Sequence, residues 1–66
     1  MKLKVDSEAD ALYLLLDDST IIESEEVTPG IVVDYNEKNE VVGIEILHIS
    51  KRSSKLNLRA LDFQTV

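Results

Sequence analysis

Sixty-six residues with thirteen acidic and seven basic side chains, a formal net charge of −6 and no cysteine describe one small acidic domain that cannot draw on disulfides or on a cysteine-based metal site. A domain this short hides only about 60% of the surface of its unfolded chain, so self-association is the remaining source of support. With 44% apolar residues the chain is too hydrophobic for a disordered tail, yet its longest uncharged apolar run, Ala11 to Leu16, falls far short of the roughly 20 residues of a membrane-spanning helix.

The apolar clusters from residue 2 to residue 49 are short, rich in β-branched residues and bounded by turn signals, a pattern that predicts a mainly β fold, an antiparallel meander of about five strands. The first strand, 2–5, turns Leu3 and Val5 inward and Lys2 and Lys4 to water. The turn after it, Asp6-Ser7-Glu8-Ala9-Asp10, is built of side chains that bond their own backbone. The second strand, 11–17, carries Leu12, Leu14 and Leu16 on one face and Tyr13 and Leu15 on the other. A strand apolar on both sides is either central and covered above and below, or gives one face to a subunit interface. Leu12, Tyr13, Leu14, Leu15 and Leu16 are therefore the candidate interface residues.

Asp17-Asp18-Ser19 turns the chain into a third strand, 20–27, whose middle holds Glu23 and Glu25; acids there suit an edge strand, where they discourage further pairing. Pro29-Gly30 predicts a reversal, because proline presets a negative φ and glycine tolerates the positive φ that follows. The fourth strand, 31–35, places Ile31, Val33 and Tyr35 on one face and Val32 and Asp34 on the other. The loop Asn36 to Glu40 leads to a fifth strand, 41–49, with Val42, Ile44 and Ile46 facing the core and Asn39 the best candidate for a left-handed backbone. Ser50 to Lys55 is a basic, serine-rich loop with room for a helical turn. In 56–66, Leu58 and Leu61 fit helical spacing behind Asn57, whereas Asp62 to Val66 alternates like a strand; the expectation is a short C-terminal helix followed by an extended tail.

Charge is unevenly spread. Residues 1–40 hold eleven acids and three bases, net −8, and residues 41–66 hold two acids and four bases, net +2. An acidic body repels phosphate, which makes nucleic acid an unlikely partner, and it speeds encounter with a basic protein. Met1 to Val5 alternates lysine with apolar residues before Asp6, which does not read as a signal peptide, so a cytoplasmic location is expected.

Four sets of residues invite a chemical reading. Asp6, Glu8 and Asp10 followed by Asp17 resemble a calcium loop, but such a loop needs glycine at its sixth position and glutamate at its twelfth, where this chain has Ala11 and Asp17. A polar turn is the expected reading. Asp17 with Asp18, and Glu23, Glu25 and Glu26, could pair for acid and base catalysis, yet catalytic carboxylates need apolar pockets that are hard to build from so short a chain; a solvated face is expected. His48 is the sole histidine and has no cysteine to activate, and Ser50, Ser53 and Ser54 nearby lack any signalled oxyanion hole. Lys51, Arg52, Lys55 and Arg59 form the basic stretch, which without interleaved aromatics is a weak sign of nucleic-acid binding and could equally meet the acidic body of a neighbouring copy. No catalytic, cofactor or metal-binding residue is assigned, and the chain is not expected to be an enzyme.

Several motifs in sequence order resemble a known family. The segments Lys4-Val5-Asp6-x-Glu8-Ala9-Asp10-Ala11-Leu12-Tyr13, Glu23-Ser24-Glu25-Glu26-Val27, Pro29-Gly30-Ile31-Val32-Val33-Asp34-Tyr35 and Val42-Gly43-Ile44-Glu45-Ile46-Leu47 are similar to the bacterial domain-of-unknown-function family DUF2283, over roughly residues 1–52. The chain departs from the glycine that members often carry in the Asn36 to Glu40 loop. The resemblance implies a small bacterial cytoplasmic domain with no established activity, some of whose relatives are suspected of being antitoxin-like partners of small toxins.

The expected function is that of a non-enzymatic protein-interaction module, an antitoxin-like acidic partner of a small basic protein, dimeric through the apolar surface of the second strand. The alternative is a self-assembling structural homo-oligomer with no other partner.

Overall fold

The computed structural model describes residues 1–66 and shows five strands, β1 (Lys2–Asp6), β2 (Ala11–Leu15), β3 (Glu23–Thr28), β4 (Ile31–Tyr35) and β5 (Val41–Ile46), followed by one helical turn, α1 (Ile49–Arg52). All neighbours in the single sheet run antiparallel, in the order β1-β2-β5-β4-β3. The mainly β class, the five antiparallel strands and a short helical piece toward the C-terminus are as the residue pattern predicts. The connectivity is not that of a simple meander, because β2 lies beside β5 and β3 forms the far edge.

Side-chain matching explains the exchange. The first four residues of β3 are Glu23, Ser24, Glu25 and Glu26, which would have sat poorly beside the leucines of β2, whereas Leu14 of β2 lies opposite Ile44 of β5 and Leu12 opposite Ile46. Cross-strand apolar pairs of this kind are what stabilise a sheet. The segment 16–22 bridges the ends of β5 and β4 to reach the far edge, held at one end by Leu16 N–H donating to Val42 O (2.7 Å) and at the other by Ile22 N–H donating to Tyr35 O (2.9 Å). Committing 16–22 to that path also shortens β2 and delays β3 relative to the expected 11–17 and 20–27. All six residues of β3 are exposed, in keeping with the edge position its glutamates signal.

The turns follow local chemistry. Ala9 N–H donates to Asp6 Oδ1 (3.0 Å) within the β1–β2 turn, and Asp10 closes it with φ 56°. Gly30 takes φ 80° in the β3–β4 turn, and Thr28 pairs with Ile31 directly across it, so Val27 is left as a bulge that lets the turn meet the twist of its strands. In the β4–β5 loop Asn39 has φ 61°. That loop is organised by Asn36, whose buried side-chain oxygen accepts from Lys38 N–H and Glu40 N–H, both at 3.0 Å, while its Nδ2 donates to Glu40 Oε1 (2.9 Å).

The helix falls elsewhere than 56–66. His48 turns left-handed at φ 53°, β5 therefore stops at Ile46 rather than near Ile49, and Ile49 is buried (4% exposed) at the start of α1. Two turns of the sheet hold that helix. Asp10 accepts Ile49 N–H on its carbonyl and Ser50 N–H and Oγ–H on its carboxylate, at 3.0, 3.0 and 2.7 Å. Arg52 donates from Nη2 to Pro29 O (2.7 Å) and from Nε to Leu47 O (3.3 Å). Residues 56–66 contain no helix: Leu56, Leu61 and Phe63 are exposed, and a helix of that length that buries none of these side chains is unstable in water.

Candidate functional site

Register assigns the side chains to two unlike faces, since residues directly opposite in an antiparallel ladder project to the same side. One face stacks the rows Val5, Leu12, Ile46, Ile31, Thr28 and Leu3, Leu14, Ile44, Val33, Glu25. Charge enters it only at the β3 margin. The other face stacks Lys2, Leu15, Gly43, Asp34, Ser24 and Lys4, Tyr13, Glu45, Val32, Glu26.

On the apolar face no second layer is laid down. Leu12, Leu14, Ile31, Val33, Ile44 and Ile46 are half-buried, while Leu3, Val5 and Leu16 are exposed. The buried apolar side chains of the whole chain are Ala11, Val42 and Ile49. A sheet normally buries one face against a second layer to hold its core, so this face is the most unusual surface of the molecule.

The polar face carries a hydrogen-bonded carboxylate. Asp34 is buried (8% exposed) and accepts the Tyr13 hydroxyl on Oδ2 at 2.7 Å and the Ser24 hydroxyl on Oδ1 at 2.5 Å. Strands β2, β4 and β3 are thereby joined across β5. Gly43 makes room for this, because a Cβ there would lie 2.5 Å from Tyr13 Oη and 2.9 Å from Asp34 Oδ2. The bond to Asp34, then burial and the negative charges of Asp34 and Glu45, push the Tyr13 phenol up to about 12 by favouring its neutral form. The arrangement fastens the sheet, with two hydroxyl donors holding one carboxylate.

The structure separates the five candidate interface residues. Leu12, Leu14 and Leu16 belong to the apolar face; Tyr13 and Leu15 belong to the other, and the Tyr13 hydroxyl is engaged by Asp34. The spacing of residues along the chain did not single out Asp34, Ser24, Gly43 or Asn36 as a hydrogen-bonding centre or its neighbour. One signal was available, since an isolated glycine inside a strand often marks the close approach of another group.

The remaining candidates lie apart. Asp6 and Asp10 flank the β1–β2 turn, whereas Asp17 is beyond the opposite end of β2, where hydrogen bonds from Ser19 hold its exposed carboxyl below the usual range. No three His, Asp or Glu side chains gather where a metal ion could be held. Glu23, Glu25 and Glu26 are exposed along the free edge of β3. His48 is exposed at the start of α1, and Ser50 is occupied by Asp10. Arg52 is bonded to two backbone carbonyls, which leaves Lys51, Lys55 and Arg59 as the unengaged cations of the basic stretch. No helix is long and apolar enough to cross a membrane.

A single antiparallel sheet with one apolar and one polar face, closed at one end by a helical turn, defines a small one-layer β protein. The model of the family described as "Protein of unknown function (DUF2283)" matches residues 2–50, and the chain belongs to that family. The match takes in all five strands and the first residues of α1. No curated protein matches the chain, and no solved structure does.

Proposed function

We propose that this chain acts by binding protein rather than by catalysis, through the apolar face of its sheet. The observation that carries the reading is the half-exposed set of Leu3, Leu12, Leu14, Val33, Ile44 and Ile46, contributed by four adjacent strands and left without a second layer. Contiguous apolar patches of this kind mark interaction surfaces. The net charge of −8 over residues 1–40 selects a basic protein as the heterologous partner, in the manner of an acidic antitoxin that masks a small basic toxin in the bacterial cytoplasm. A competing reading is self-assembly without any other partner. It is favoured by the two free edges, which carry Lys2 and Lys4 on β1 and Glu23, Glu25 and Glu26 on β3 and so attract one another head to tail.

The test is cross-linking of the full chain in its native host, comparing the wild type with Leu14→Asp. Protein binding through the face predicts that the wild type is captured with a polypeptide, that Leu14→Asp loses it, and that salt added before the cross-linker reduces capture of a basic partner. Recovery of the wild type uncross-linked to any polypeptide would retire the reading, as would an identical cross-linking pattern for Leu14→Asp.

A further inference from the structure

The apolar face needs an occupant, and its dimensions and chemistry narrow the choice. We propose that the occupant is a second copy of this chain, the two sheets stacking face to face about a two-fold axis; this rests on the protein-binding reading above and names the partner on that surface.

Area is the first argument. A compact folded monomer of this chain's mass, 7.4 kDa, exposes about 4,200 Å², whereas this chain exposes 5267 Å². The excess is about 1,100 Å²; the exposed tail after α1 contributes to it together with the sheet face, and the total is of the order of the roughly 800 Å² that one partner gives to an interface of standard size. The radius of gyration, 12.8 Å, likewise exceeds the roughly 11 Å of a compact chain of this length. One interface of ordinary size therefore brings the chain to a normal ratio of surface to mass.

Chemistry is the second. A two-fold contact sets a surface against itself, so it must tolerate its own charges. The edges tolerate this poorly: a two-fold pairing of β3 crowds Glu23, Glu25 and Glu26 of one copy beside those of the other, and β1 is lined by Lys2 and Lys4, charges of the kind that oppose edge-to-edge pairing. The apolar face tolerates it. From β1 through β5 to β4 its two rows contain no charged side chain, and Glu25 enters only at the β3 margin, where an aligned stack of twisted sheets leaves it at the solvated rim. Stacked about 10 Å apart, the two faces supply each other with the layer that the single chain lacks.

Salt separates this occupant from a basic protein. Two copies each of net charge −6 repel, so added salt tightens the dimer, while it loosens a complex with a basic partner. Sedimentation equilibrium of the purified full chain is expected to give twice 7.4 kDa, with a dissociation constant that falls as salt rises. Leu14→Asp, in the centre of the face, is expected to raise that constant about 100-fold, because it buries an unpaired charge. Val5→Lys, at the exposed β1 margin of the same face and compatible with the free fold, should raise it about tenfold. Leu61→Asp in the tail should leave it unchanged.

A folded wild-type monomer overturns the proposal, and so do open-ended growth of assemblies, which would mean edge pairing, and loss of the dimer on Leu61→Asp, which would mean that the tail covers the face. A monomer whose Leu14→Asp variant still loses a cross-linked partner in the host would sink the second copy while leaving the protein-binding reading intact.

Discussion

The hydroxyl of Tyr13 on β2 donates to the carboxylate of Asp34 on β4 across 2.7 Å, passing over Gly43 of the intervening strand β5. Two strands that are not neighbours are thereby tied through side chains alone. With so little apolar core beneath them, such polar ties carry an unusually large part of the fold's specificity.

Removing a donor should show it. Tyr13→Phe leaves one oxygen of a buried carboxylate without its partner, and the expected loss is about 1–3 kcal/mol of unfolding free energy, measured by urea denaturation at one fixed protein concentration. Ser24→Ala should cost less, about 1 kcal/mol, because β3 is an exposed edge where water can replace the lost hydroxyl. Changes within about 0.5 kcal/mol for both, the range of ordinary surface substitutions, would contradict a stabilising role for this carboxylate.

Alkali should unfasten the same contact. The Tyr13 phenol rises from 10.0 to about 12 in the folded chain, so folding favours the protonated form. The stability it contributes is fully present below pH 10 and is lost as pH climbs from 10 through about 12. In a Tyr35→Phe background, ultraviolet titration reports Tyr13 alone and should show its phenolate appearing late and together with a loss of sheet signal. Ionisation at an ordinary tyrosine pH, with the sheet unaffected, would argue that the hydroxyl is free in solution.

Gly43→Ala tests the passage over β5. The new methyl would meet Tyr13 Oη at 2.5 Å, so the ring must leave Asp34, at a cost of about 1–3 kcal/mol. If the clash is the cause, the same substitution made in a Tyr13→Ala chain should cost at least about 1 kcal/mol less, a coupling that a double-mutant cycle measures. Additive effects would assign the cost to backbone propensity instead.

Asp10 offers a test of how α1 is held. Asp10→Gly keeps the left-handed backbone at φ 56° but removes the carboxylate that accepts Ser50 N–H and Oγ–H. Amide exchange at Ser50 should accelerate while the centre of the sheet stays protected. Asp10→Ala adds the steric penalty of a left-handed alanine, about 1–2 kcal/mol, and should be the less stable variant. Equal exchange at Ser50 in wild type and Asp10→Gly would mean that α1 is held by Ile49 and Arg52 alone.

Alternation and turn residues, read by themselves, determined the strands, the reversal at Pro29-Gly30, the left-handed Asn39 and the edge character of β3, because each depends on a few consecutive residues: period-two alternation, a preset φ, acids along one strand. They also separated Leu12, Leu14 and Leu16 from Tyr13 and Leu15. Only the tertiary structure decided that β2 lies beside β5, that Tyr13 reaches Asp34 over Gly43, and that the helix begins at Ile49 instead of near Leu58. Those outcomes depend on which apolar rows match across distant strands, on the path that 16–22 can take around the sheet, and on an Asp10 that is forty residues from the Ser50 it holds. Local spacing contains no information about such distances.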